Sequence, residues 1–255
     1  MCRFSCTLKG MIENRKKENS KEKGSAIIYI LVAVALLGAL SFAVSKGSRT
    51  NTSTLSDQQA KIAANEIISY GNTVAKAVGT LRLRGCTDIQ ISFENPLYTV
   101  YTNPSAPADK SCHVFDLAGG KVSYQAPDED WLDSSKSAVA EYGNLIVNGD
   151  NKVSGIADAA EEELVAIISA LSQKICLEIN NKLGVSNPGD VPPTDTNGIT
   201  EGTKFVGTYG ASSSTIGDAG TSSTALLGKT SGCVHETAGC SGTDCYHFYQ
   251  VLIAR

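Results

Sequence analysis

Eight cysteines and three histidines hold most of the reactive chemistry in this 255-residue chain. Near the C-terminus, Cys233-x-His235-x4-Cys240-x4-Cys245-x-His247 supplies enough sulfur and imidazole nitrogen for a tetrahedral zinc site. The spacing lacks the paired C-x2-C knuckle of structural zinc sites, and thiols in an exported protein oxidise instead. A Cys–His catalytic pair is weaker still, because nothing in the sequence selects one thiol. Cys86, Cys112, Cys176, Cys233, Cys240 and Cys245 all follow a long apolar run, whereas Cys2 and Cys6 precede it. An even set of six beyond that run predicts up to three disulfides, drawn from fifteen possible connectivities. Cys86 with Cys112 is the favoured pair, together with one bridge inside the segment Cys233–Cys245.

Other chemical signals dissolve on inspection. Gly228-Lys229-Thr230 ends like a phosphate-binding loop, but Ser223 stands where that loop needs its first glycine. Glu161, Glu162 and Glu163 are consecutive, so on a helix their carboxylates splay apart rather than converge on a metal. Asn148-Gly149-Asp150-Asn151 and Asp195-Thr196-Asn197-Gly198 offer calcium-type oxygens, but neither follows the EF-hand ligand series, and polar turns explain both. No enzyme, cofactor or resident metal is expected.

The elements that position these residues begin with a charge gradient. Residues 1–24 hold seven Lys/Arg against three Asp/Glu, whereas the remainder is acidic overall. An acidic body argues against nucleic-acid partners, whose binding rests on phosphate neutralisation. Between the two regimes Ala26–Val44 runs for 19 residues without a charge. As a helix such a run spans roughly 28 Å, close to the hydrocarbon thickness of a bilayer. Its basic N-terminal flank predicts a cytoplasmic N-terminus and an exported body.

Downstream, Ala63, Ile67, Tyr70, Val74, Val78 and Leu81 form one apolar stripe at helical spacing, opposite Lys61, Asn65, Asn72 and Lys76. This helix is expected to end near Gly85. Strands are then expected at Asp88–Phe93, Tyr98–Tyr101, Lys204–Tyr209 and Tyr246–Ile253. Two hairpins are expected, turning at Leu117–Gly120 and at Asn148–Asn151. A second helix is expected from Asp158 to Leu183, with Leu164, Ile168, Leu171, Ile175 and Ile179 inward and Gly184 as its stop. Residues 185–202 are rich in Pro, Asp and Gly and predict a loop. Fourteen of residues 210–231 are Gly, Ser or Thr, which predicts a second loop.

The N-terminus resembles the class III signal of type IV prepilins and type II secretion pseudopilins. A basic leader ends in Lys23-Gly24, and the apolar helix starts at once with Ser25-Ala26-Ile27-Ile28-Tyr29. The resemblance implies cleavage after Gly24 by a prepilin peptidase, methylation of Ser25, and retention of the helix as anchor and filament core. Most of that family place glutamate fifth in the mature helix; here the residue is Tyr29. A carboxylate in lipid is costly unless paired, so this subunit does not need that pairing; because the minor pseudopilin at the filament tip also lacks the glutamate, the resemblance implies a minor or tip-like subunit rather than a major pilin. Residues 112–127, 175–184 and 246–255 are also similar to pieces of pilin-like membrane proteins of Gram-negative bacteria.

The resulting expectation is an α+β protein: a long N-terminal transmembrane-plus-amphipathic helix, then a mixed, mainly antiparallel β domain with a second helix. Its parts are a leader at 1–24, a transmembrane helix at 25–45, a stem at 46–85 and an exported domain at 86–255. The implied partners are other pilin-like subunits through the N-terminal helix, the prepilin peptidase and inner-membrane lipid. The implied location is the bacterial inner membrane, with the C-terminal domain periplasmic or on a filament. A membrane-anchored periplasmic binding or adhesion protein is the alternative. Ala43-Val44-Ser45 before Lys46 also leaves room for signal peptidase cleavage and a soluble exported product.

Overall fold

A computed structural model describes residues 28–37, 56–139, 141–157, 161–196, 199, 202–211, 214–218, 224–237, 240 and 243–255. The chain divides into two units, Met1–Thr54 and Leu55–Arg255. In the first, residues 28–37 form a helix, α1, whose side chains are exposed. Among the described residues no helix is long and apolar enough to cross a membrane. Residues 25–27 and 38–45 of the expected span lie outside the described residues, as do 46–55 of the expected stem.

The second unit opens with α2, Asp57–Leu83. Ser56 starts it with a capping box: its Oγ accepts from the Gln59 amide at 3.2 Å, and the Gln59 side chain accepts from the Ser56 amide at 3.0 Å. The predicted stripe is the buried one, with Ala60, Ala64, Gly71 and Ala77 added, while Tyr70 is half-buried. Lys61, Asn65, Asn72 and Lys76 face solvent. The helix ends in a Schellman motif, in which the Gly85 amide donates to Arg82 O at 3.0 Å and the Cys86 amide to Leu81 O at 3.1 Å. Gly85 takes φ +99° there, a conformation open to glycine at little cost, and so delivers Cys86 to its bridge.

Six strands build one mixed sheet in the order β3-β5-β6-β2-β1-β4. They are β1 (Leu145–Val153), β2 (Glu163–Ile168), β3 (Thr194–Asp195), β4 (Ser214–Ile216), β5 (Ser231–Glu236) and β6 (Cys245–Ile253). The pairs β1–β2, β2–β6 and β5–β6 are antiparallel, and the short β3 and β4 join the edges in parallel. On one face Leu145, Val147, Leu164, Ala166, Ile168, Phe248 and Leu252 share a core with α2 and with α3 (Gln173–Leu183). On the other, Ile146, Val165, Ile167, Val234, Tyr249 and Val251 pack with Ile216 of β4 and with Val185, Ile199 and Leu226 from the connecting segments.

Several expectations are corrected. The segment expected as one helix from Asp158 to Leu183 is β2 followed by α3; Asp158 itself lies outside the described residues. All six residues of β2 are buried, so the strand has no polar face and its apolar run imitates a helix core. Gly184 does terminate α3, at φ +66°. Asn148–Asn151 is not a turn but the bulged middle of β1. Its turn-forming side chains are satisfied by distant loops: Asn148 Nδ2 donates to Thr203 O at 2.7 Å and Asp150 Oδ1 accepts from the Gly210 amide at 2.8 Å. Gly149 lets the Phe205 and Tyr209 rings close on this strand, since a Cβ would lie 3.0 Å from each.

Lys204–Tyr209 is a loop laid against β1, with the Phe205 amide donating to Val147 O at 2.9 Å. Asp88–Gln90 and Thr99–Tyr101 are single 3-10 turns rather than strands, and Ser92 keeps only an isolated bridge to His113. Asn95 curls the second segment by accepting from the Leu97 and Tyr98 amides. The chain does reverse near Leu117–Gly120, through Gly120 to His113 O at 2.8 Å, but without paired strands.

Candidate functional site

Gly24 and Ser25, the expected processing junction, lie outside the described residues, as do Cys2 and Cys6. Tyr29 lies on α1 and is 73% exposed. The remaining six cysteines are joined as Cys86–Cys112, Cys176–Cys233 and Cys240–Cys245, with Cα atoms 5.9, 5.3 and 5.6 Å apart. Three bridges in one chain are the chemistry of an oxidising compartment.

Each bridge has a mechanical place. Cys86–Cys112 ties the end of α2 to the turn region that follows it. Cys176–Cys233 ties α3 to β5, and Asn180, one helical turn further along α3, reinforces the same junction. Its Oδ1 accepts from the Cys233 amide at 2.8 Å and its Nδ2 donates to Cys233 O at 2.8 Å. The edge strand β3 is two residues long and pairs only with His235 and Glu236. The Asn180 amide therefore does for Cys233 what a neighbouring peptide group would do, and it closes a stretch of sheet edge. Nothing in the sequence marks Asn180, because its partner strand β5 starts only at the end of the Gly/Ser/Thr-rich stretch and is not among the expected strands.

The strand register also separates the zinc-type residues. Cys233 and His235 lie on the helix-covered face, opposite Phe248 and Tyr246, and Cys233 is spent on Cys176. His235 stacks on Tyr246 with ring centroids 5.0 Å apart and approaches Asp244 at 3.3 Å. Glu236 and His247 lie on the other face with Cys245, since Glu236 pairs with Cys245 and Val234 with His247. His247 is fully buried, and its Nε2 stands 3.0 Å from Glu236 Oε2. Ligand atoms of Cys240, Cys245 and His247, all buried, lie within 4.8 Å of one another. The five-residue zinc pattern is thus split: one part becomes a disulfide anchor, the other a compact sulfur–imidazole–carboxylate cluster. Glu236 was missed because its membership depends on register rather than spacing.

The three consecutive glutamates diverge. Glu161 meets Arg255 at 3.1 Å, Glu162 meets Lys152 at 3.9 Å, and Glu163 turns inward to accept from the Val153 amide at 2.9 Å. Burial raises the Glu163 carboxyl above its usual range. In the phosphate-loop lookalike, the Gly228 amide donates to Ser154 O and Lys229 Nζ to Gly184 O, so both serve the fold. Asp195 is buried on β3, whereas Asn197 and Gly198 lie outside the described residues.

A shallow polar groove runs between α2 and residues 121–131, past Glu66, Ser69, Thr73 and Trp131. Tyr70 straps its far wall: its hydroxyl donates to Ser123 O at 3.5 Å and accepts from the Gln125 amide at 2.9 Å. Burial pushes the Tyr70 hydroxyl up to about 12. Comparison with protein-family models, curated proteins and solved structures gave no match.

Proposed function

We propose that this chain is a membrane-anchored, pilin-like structural subunit, processed after Gly24 and incorporated as a minor or tip-like component of a type IV pilus or type II secretion-type filament. The observation that carries this reading is the seam in the sequence, where a basic leader ends in Lys23-Gly24 and an uncharged 19-residue run begins at once. A charged leader cannot follow such a run into lipid, and glycine offers an unhindered backbone for cleavage at the membrane surface. Three features of the second unit support it: an amphipathic N-terminal helix packed on a sheet, an acidic body, and disulfides suited to export. Its partners are other pilin-like subunits through the apolar helix, the prepilin peptidase and inner-membrane lipid.

The alternative is a single-pass periplasmic binding or adhesion module that does not polymerise, and Tyr29 is compatible with it because the carboxylate that pairs neighbouring subunits in most pilins is replaced. Co-expression with a prepilin peptidase tests the first. The wild-type chain is expected to lose residues 1–24, and Gly24→Val to keep them. Equal processing of both, or none in either, removes the pilin reading.

A further inference from the structure

The pilin reading leaves unused the buried cluster at the loop end of β5 and β6, and the following inference does not depend on that reading. Cys245 and His247 stand two residues apart on β6, so both project from the same face of the sheet. Glu236 is the cross-strand partner of Cys245 on that face, and Cys240 meets them through its bridge to Cys245. The sulfur atoms and the imidazole lie within 4.8 Å of one another, and Glu236 Oε2 is 3.0 Å from His247 Nε2. A tetrahedral zinc ion bound by thiolate and imidazole holds its ligand atoms roughly 3.5–3.8 Å apart. Breaking the Cys240–Cys245 bond frees the two sulfurs to move apart to that spacing beside the imidazole. With Nε2 facing Glu236, Nδ1 is the nitrogen left to ligate a metal, and a carboxylate on the other ring nitrogen is the usual way such imidazoles are oriented and made more basic.

We propose that Cys240, Cys245 and His247, supported by Glu236, form a redox-gated binding site for a thiophilic divalent metal ion such as Zn2+: closed as the disulfide, open as the dithiol. Opening requires a reductant of the dithiol class. The Cys240–Cys245 bond breaks, its sulfurs accept two electrons and two protons, and the reductant is oxidised to its own disulfide. Zn2+ then displaces the thiol protons and binds the thiolates and the imidazole, with water left for a fourth position. The gate is local. The other two bridges hold α2 and α3, whereas Cys240–Cys245 spans a sequence separation of only 5.

The test uses the full-length chain, oxidised or treated with a phosphine reductant, and titrated with Zn2+ and with Cd2+. Cd2+ reports thiolate ligation by its ultraviolet charge-transfer band. Reduced wild-type protein is expected to bind one ion per chain at least 100-fold more tightly than oxidised protein. Under the same reduction the double variant Cys240→Ser/Cys245→Ser keeps the four other distal thiols and is expected to lose that gain and the Cd2+ band. Glu236→Gln, which keeps both sulfurs, is expected to weaken binding about 10–100-fold. Reduced wild type binding no more tightly than oxidised protein would overturn the proposal. So would a double variant that binds as tightly as reduced wild type, because other thiols would then be the ligands.

Discussion

Replacing Asn180 by alanine removes a side chain that is fully buried and makes three hydrogen bonds, two to the Cys233 backbone and one from Nδ2 to Asn187 Oδ1 at 2.9 Å. The substitution leaves the Cys233 N–H and C=O inside the protein with no neighbouring strand among the described residues to take them. Each such orphan costs about 1–3 kcal/mol, so Asn180→Ala is expected to destabilise the second unit by about 2–6 kcal/mol. The Cys176–Cys233 bridge keeps β5 from leaving, which favours the middle of that range. Asn180→Asp is the sharper probe. Its carboxylate still accepts from the Cys233 amide but faces Cys233 O and Asn187 Oδ1 with lone pairs alone. Folding then favours the protonated acid, which can donate again, so the variant regains stability as pH falls and loses it as pH rises through the raised carboxyl pKa. Urea denaturation of the disulfide-intact chain gives the stabilities, and native-state hydrogen exchange reads the Cys233 amide directly. An Asn180→Ala loss below about 0.5 kcal/mol, with Cys233 still protected, would refute the edge-closing role, since that is the range of featureless surface changes.

The three bridges close loops with sequence separations of 57, 26 and 5. On the chain-entropy account, removing Cys176–Cys233, Cys86–Cys112 or Cys240–Cys245 as alanine pairs costs about 4, 3.5 and 2 kcal/mol; the largest loss for the shortest loop in denaturation would contradict it. Glu163→Gln keeps the acceptor for Val153 and removes a carboxylate whose ionisation burial opposes. Wild-type stability falls as pH rises through the raised Glu163 pKa, so the variant should gain on wild type as pH rises above the usual carboxylate range, and the opposite trend in paired denaturation curves would refute this. At Gly71 a Cβ would meet Phe248 Cζ at 3.1 Å and Gln250 Cβ at 3.5 Å, where α2 lies on β6. Gly71→Val is therefore expected to lose about 1–3 kcal/mol by overpacking, measured as a lower thermal midpoint; an unchanged midpoint would show that the helix is not seated this closely.

Legibility in the sequence followed how local each element's reasons are. The α2 stripe and the Gly85 and Gly184 stops depend on neighbours three to five residues away, and the structure places them as expected. The last strand was also legible, because Tyr246-His247-Phe248-Tyr249-Gln250-Val251 has no helical reading of equal quality. In the sheet it lies between β5 and β2. Failures came where a partner is distant. Leu164–Ile168 is buried on both faces and lacks the alternation that marks a strand, and the glutamates before it imitate a helix start. Asn148-Gly149-Asp150-Asn151 has turn chemistry, yet Thr203 and Gly210 satisfy it in an extended strand. β5 starts only at the end of the Gly/Ser/Thr-rich stretch and is too short and irregular to read as a strand, and with it go Asn180 as an edge closer and Glu236 as a companion of His247. The Cys86–Cys112 pair was favoured because it joins adjacent segments. Cys176–Cys233 depends on the placement of α3 and β5, which the sequence does not mark.

The proposed pilin-like role makes its firmest commitment at the seam after Gly24. Intact mass and N-terminal sequencing of the mature chain recovered from membranes of a cell with a prepilin peptidase test it most directly. The account predicts a single species beginning at Ser25, one methyl group heavier than the unmodified chain and still carrying the apolar run. A chain that keeps its leader, or one that begins at Lys46 without the run, would contradict it.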